Sequence, residues 1–138
     1  MPVSAPTSPE PTTPRPVPPP LLVAAAVVGV EALLLVGYAV VLVPSVSSAR
    51  LAMGVTTPVF FIVYGVALAF CAWKLRGGHS WARSPLVLAQ LIQLGVAWSF
   101  RGAPSTGVAV GLAVLSGVAL AGIFHPASLD ALADRPEA

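Results

Sequence analysis

Charge is scarce in this sequence. Only 9% of its 138 residues are Asp, Glu, Lys or Arg, against roughly 25% in a soluble domain. Hydrophobic residues make up 57%, and the mean hydropathy is +0.89. So little polar surface cannot coat a water-soluble globule, which excludes an ordinary cytoplasmic enzyme, a nucleic-acid module and a secreted disulfide scaffold. The net charge is only +2, and seven Lys and Arg against five Asp and Glu mark no basic binding face; no nucleic-acid partner is expected. Cysteine is nearly missing, and the single Cys71 cannot pair within the chain, so it says nothing of redox compartment. Lysine occurs once and asparagine not at all, which suits a high-GC genome. No apolar run shows strand alternation, and an open sheet edge cannot persist in lipid.

Proline, by contrast, is abundant and unevenly placed. Nine of the first 20 residues are Pro. Pro fixes φ and has no backbone donor, so helix and sheet are both denied there. Residues 1–20 read as a disordered, polyproline-II-biased cytoplasmic tail, and Pro16-Val17-Pro18-Pro19 has the PxxP form beside Arg15.

Four apolar segments follow, punctuated by the remaining prolines, and predict an all-α, multi-pass domain over 21–124 with four transmembrane helices. The first, 21–43, gives about 34 Å of helix, enough for a hydrocarbon core of roughly 30 Å. The second, 57–75, has Thr56 or Thr57 as cap, Pro58 in its first turn and Gly77 at its end; residues 51–55 extend it if Pro58 is accommodated as a kink. The third, 85–101, opens on Ser84 as N-cap with Pro85 behind it and stops at Gly102; it spans only about 25 Å. The fourth is 106–124, between Pro104 and Pro126. Residues 125–138 form a short cytoplasmic tail in which Ser128 caps one helical turn.

Loop charges set the threading. Lys74, Arg76 and Arg83 share one loop and Arg15 and Arg135 lie in the tails, while Arg50 and Arg101 fall on the other side. Both termini and the 74–84 loop are therefore expected in the cytoplasm of a plasma-membrane protein. Trp73 and Trp81 fall at the inner interface, Trp98 and Phe100 at the outer one. Lys74, Arg76 and Arg83 are expected to contact lipid headgroups, each cation being worth about 1 kcal/mol near an anionic leaflet. Ser47-Ser48-Ala49 offers a signal-peptidase site before Arg50, but the 23-residue apolar run and its Glu31 exceed a signal peptide's core, so retention is expected.

Glu31 is the most informative residue. It is the eleventh of 23 in its segment, hence at the bilayer midplane, where an acidic group costs on the order of 2.5–3.5 kcal/mol on insertion scales. Protonation is the cheapest escape. The neutral carboxyl then needs donors and acceptors inside the bundle, with Ala24, Val27, Val28, Leu34, Leu35 and Tyr38 on its face. Tyr64, Gln93 and Ser116 fall at the same depth in the other segments, and Gln90 lies one turn from Gln93. Such a layer either fixes helix register or forms a proton or substrate site. The fourth segment carries the small-xxx-small pairs Gly107/Gly111 and Ala113/Gly117, which suit internal packing or a dimer interface.

Other chemistry is poorly supplied. Gly77-Gly78 lacks P-loop spacing. His79 and His125 stand apart from any Cys or acidic cluster, so neither metal nor cofactor is expected. No His or Asp falls within an apolar segment to activate a serine, so an enzyme is not expected.

The stretch Trp81-Ala82-Arg83-Ser84-Pro85-Leu86-Val87-Leu88-Ala89-Gln90-Leu91-Ile92-Gln93-Leu94 resembles small integral membrane proteins of Actinobacteria without an assigned function. They have four helices, an acidic residue early in the first, a basic loop running into Trp-Ala-Arg-x-Pro and a Gln-containing third helix, positions that Glu31 and Gln90 would match. The resemblance covers about residues 21–130 and implies a plasma-membrane location without an enzymatic activity. Small multidrug-resistance transporters are similar in layout, with four short helices and a Glu in the first, but their third-helix Trp and Gly pattern is not reproduced here. Two functional expectations follow. One is a non-enzymatic structural or accessory protein of the cell envelope, assembling with itself or with a larger membrane complex. The other is a proton-coupled transporter or channel-like oligomer with Glu31 as the titrating group.

Overall fold

The computed structural model describes residues 16–45, 51–99, 101, 102, 104 and 106–134. The tail as far as Arg15, the Ser47-Ser48-Ala49 site, Arg50, Phe100 and Arg135 lie outside the described residues. Among the described residues there are five α-helices and no strand: α1 Pro19–Leu42, α2 Leu51–Arg76, α3 Arg83–Ser99, α4 Thr106–Phe124 and α5 Pro126–Ala133. Short 3₁₀ turns, Val43–Ser45 and Ser80–Ala82, follow α1 and precede α3.

Several boundaries differ from the sequence expectation, each for a local reason. Pro19 and Pro20, assigned above to the disordered tail, are the first residues of α1. The first N–H groups of a helix have no intrahelical partner, so proline loses nothing there. Pro18 stands outside in extended conformation, φ −64° and ψ 143°, and its carbonyl accepts from Leu21 and Leu22 at 3.1 and 3.3 Å. α2 starts at Leu51, the upstream extension that residues 51–55 allowed, so Thr57 caps nothing and Pro58 is inside the helix. α3 starts at Arg83, directly on the 3₁₀ turn, so Ser84 is a helical residue and not the N-cap. It stops at Ser99, two residues short of Arg101, and Gly102 takes a φ of +86°.

The α2–α3 connection is a compact stop. Gly78 adopts a φ of +78°, its N–H donates to the Leu75 carbonyl at 2.9 Å, and the His79 N–H donates to the Lys74 carbonyl at 3.1 Å. These two bonds satisfy carbonyls that the helix end would leave orphaned, and only glycine enters the left-handed region without steric cost.

α1 to α4 run antiparallel to their packing partners. Gly65 of α2 faces Ala32, Leu35 and Val36 of α1, and Tyr38 meets Phe61 edge-on with ring centroids 5.7 Å apart. Gly122 near the end of α4 faces Pro20 and Ala24 at the start of α1. Arg83 at the start of α3 lies over the Phe124 ring that ends α4. α1 thus packs on α2 and α4, α3 packs on α4, and α2 and α3 touch far less. The two closest approaches depend on glycine. A Cβ on Gly122 would lie 2.6 Å from the Pro20 carbonyl oxygen, and one on Gly65 would lie 2.8 Å from Val36 Cγ2. Gly107, Gly111 and Gly117 do not serve internal packing, the first of the two roles their spacing suits; they face outward, where a Cβ on any of the three would meet nothing within 4 Å.

The interior is built of small and medium residues: Ala24, Val28, Ala32, Leu68, Ala72, Leu75, Leu86, Ala89, Ala119 and Ile123. Many large apolar side chains, and the aromatic ones above all, are outside; Leu33 is 74% and Val108 75% exposed, and Phe60, Val63, Trp73, Leu88 and Ile92 are also exposed. Three helical stretches, Pro19–Val41, Gly54–Arg76 and Thr106–Phe124, are long and apolar enough to cross a membrane, which fits a multi-pass membrane protein. α3, with 17 residues, reaches about 25 Å and does not attain that length.

Candidate functional site

Glu31, Gln90, Gln93 and Ser116 are buried polar residues in the middle of the bundle. α1 brings Glu31, α2 Tyr64, α3 the glutamine pair and α4 Ser116. Glu31 is only 3% exposed. Gln90 Nε2 donates to Glu31 Oε2 at 2.7 Å, and Ser116 Oγ donates to Gln93 Oε1 at 3.2 Å. The Gln93 side chain lies beside both Glu31 and Tyr64. Among the described residues, three buried atoms of the layer have no hydrogen-bond partner: Glu31 Oε1, Tyr64 Oη and Gln90 Oε1. Tyr64 is half-buried, with its ring stacked on Phe60 at 5.8 Å.

The five residues share a layer because a fixed rise per residue converts sequence position into depth. The expected face of Glu31 holds in part: Ala24 and Val28 are buried and Val27 and Leu35 pack against the core. Leu34 is 61% and Tyr38 56% exposed, so these two do not share an inward face with it. The buried stripe of α1 runs Leu21, Ala24, Val28, Ala32, Ala39. Glu31 sits on the flank of that stripe, with Ala24 and Val28 on its inner side and Leu34 and Tyr38 on its outer side.

The basic cluster occupies one end of the bundle. Lys74 Nζ lies 5.5 Å from the centroid of Phe70 and 5.2 Å from that of Trp73, and Arg83 Cζ lies 5.5 Å from that of Phe124. Arg76 is exposed. Trp81 meets the Phe70 ring at 6.1 Å. At the opposite end, Arg101 Cζ lies 3.2 Å from the Trp98 centroid. The faces of Phe70, Trp73, Phe124 and Trp98 each hold a cation near a helix end, through the ring quadrupole.

The two histidines make local helix contacts. His79 Nδ1 donates to the Lys74 carbonyl at 3.1 Å, and His125 Nδ1 accepts from the Ala127 N–H at 3.2 Å as the N-cap of α5. Among the described residues no group of three or more His, Cys, Asp or Glu could hold a metal. Ser128 corrects another expectation. It lies inside α5 and is not its cap; its hydroxyl donates to the Gly122 carbonyl at 2.7 Å and ties α5 to α4. Sequence reading missed this joint, because a serine soon after a helix end carries the same signal as an N-cap. Comparison with known proteins returns no match: no protein family fits the chain, and no curated protein or solved structure is similar to it.

Proposed function

We propose that the chain is a small, non-enzymatic plasma-membrane protein with four spans, α1 to α4, that serves the cell envelope as a structural or accessory component. The carrying observation is the reversal of the usual polarity: Glu31, Gln90, Gln93 and Ser116 are inside while Leu33, Val108, Phe60 and Ile92 are outside. In water that surface would be a large aggregation site; in lipid it is solvated. On this reading α3 is the fourth span despite its length. It packs antiparallel on α4, carries two members of the polar layer, and has Arg83 and Arg101 near its ends to reach the headgroups by snorkelling. The layer fixes helix register through hydrogen bonds of roughly 0.6–2 kcal/mol each. Both termini and the α2–α3 connection face the cytoplasm, where Lys74, Arg76 and Arg83 contact anionic headgroups. Assembly with itself or with a larger membrane complex completes the reading. It is tested by affinity purification in mild detergent with mass spectrometry. A stable oligomer or heteromeric companion, retained in Glu31→Gln, supports it; a chain that is monomeric and companionless in native membranes overturns it.

The unpartnered Glu31 Oε1 favours one other reading, a proton-coupled transporter or channel-like oligomer with Glu31 as its titrating group. One bundle of four short helices encloses little volume, so this reading needs at least a dimer. Proton-driven flux in liposomes that Glu31→Gln abolishes would establish it, and equal flux in both proteins would end it.

A further inference from the structure

The polar layer does not close on itself. Glu31 uses Oε2 to accept from Gln90 Nε2 at 2.7 Å, which leaves Oε1 of the same carboxyl and Oε1 of the same amide without partners. Both orphan atoms belong to the two side chains that this one hydrogen bond joins. The third, Tyr64 Oη, belongs to a side chain that shares Gln93 as a neighbour with Glu31. Gln90 Oε1 can only accept, whereas a phenol can donate and accept. A guest that serves all three must therefore donate to Gln90 Oε1, and it must be small.

We propose that this layer is a hydration site, in which one water molecule or a short row of them bridges Glu31 Oε1, Gln90 Oε1 and Tyr64 Oη. A buried water characteristically makes about three hydrogen bonds to otherwise unsatisfied groups, and leaving three such groups bare costs more than immobilising one water. A multivalent metal does not fit, since one carboxylate is the only acidic group in the layer. Tyr64, half-buried on α2, stands at the edge of the layer, beside the seam where α2 and α3 touch little. The inference rests on the reading that this layer lies between lipid-facing helices, and it adds that the layer is wet.

Proton-detected solid-state NMR of the full chain in lipid bilayers tests it. Magnetisation transferred from water should reach the Gln90 side-chain amide at least about threefold faster than the backbone amides of Val28 and Ala119, because only the former touches the bridging water. Tyr64→Phe removes one partner without disturbing the fold and should slow that transfer; Glu31→Leu should abolish the difference. Equal build-up at Gln90, Val28 and Ala119 in the wild-type protein overturns the hydration site, as does a Tyr64→Phe spectrum with unchanged transfer. The same samples report transfer from lipid chains to Leu33 and Val108. Strong lipid contact with a dry Gln90 would refute the water alone, whereas absent lipid contact would refute the membrane reading beneath it.

Discussion

Gly122 and Gly111 stand on the same helix in opposite circumstances. A methyl group on Gly122 meets the Pro20 carbonyl at 2.6 Å and Ala24 Cβ at 2.9 Å, whereas one on Gly111 meets nothing within 4 Å. Gly122→Ala must push α4 off α1 and should cost about 1–3 kcal/mol, the usual cost of overpacking; Gly111→Ala should leave stability unchanged or raise it slightly through helix propensity. Reversible unfolding in a mixed-micelle SDS titration measures both. The same assay probes the polar layer. Gln90→Leu removes the donor to Glu31 Oε2 and should destabilise by about 1–3 kcal/mol, because the buried carboxyl loses its partner. Glu31→Gln keeps an acceptor for Gln90 and should change stability by less than about 1 kcal/mol. A larger loss in Glu31→Gln than in Gln90→Leu would contradict this assignment.

At the level of elements, what could be read in advance was depth, and what could not was direction. α4 has its sequence-derived limits because Pro104 and Pro126 bracket an unbroken apolar run. α2 grew upstream because one proline inside a helix can be tolerated when the rest of the ladder holds. Glu31, Tyr64, Gln93 and Ser116 could be ranked by depth, since rise per residue is constant. Their azimuths could not, because α1, α2 and α4 are apolar all round and give no stripe to orient them; the face assigned to Glu31 was misplaced by about one residue row for that reason. Glycines 107, 111 and 117 gave the same difficulty, because a close approach is decided by the partner helix and not by the helix that carries the glycine. The connection between α2 and α3 is more local and more readily tested. Gly78 holds a φ of +78°, so Gly78→Ala should cost about 1 kcal/mol or somewhat more, visible as a lower midpoint in the same titration, while the helix content by circular dichroism stays constant.

For the whole molecule, orientation is the property most open to test. Reporter fusions at Ser47 and Gly78 should register on opposite sides of the membrane, with Gly78 cytoplasmic. Replacing Lys74, Arg76 and Arg83 together by Glu removes the charge excess that anchors this end, and a large fraction of the Gly78 reporters should then appear outside. An unchanged distribution would show that something other than these three cations sets the threading. The helices also differ in length: α1 and α2 have 24 and 26 residues, α3 and α4 only 17 and 19. At 1.5 Å per residue one hairpin stands about 36–39 Å tall and the other about 25–29 Å. Set in a bilayer, such a body is lopsided: acyl chains beside the short hairpin must compress or the taller pair must lean. The protein would thereby carry its own dimple in the membrane, and would settle most comfortably where the leaflets are already thin.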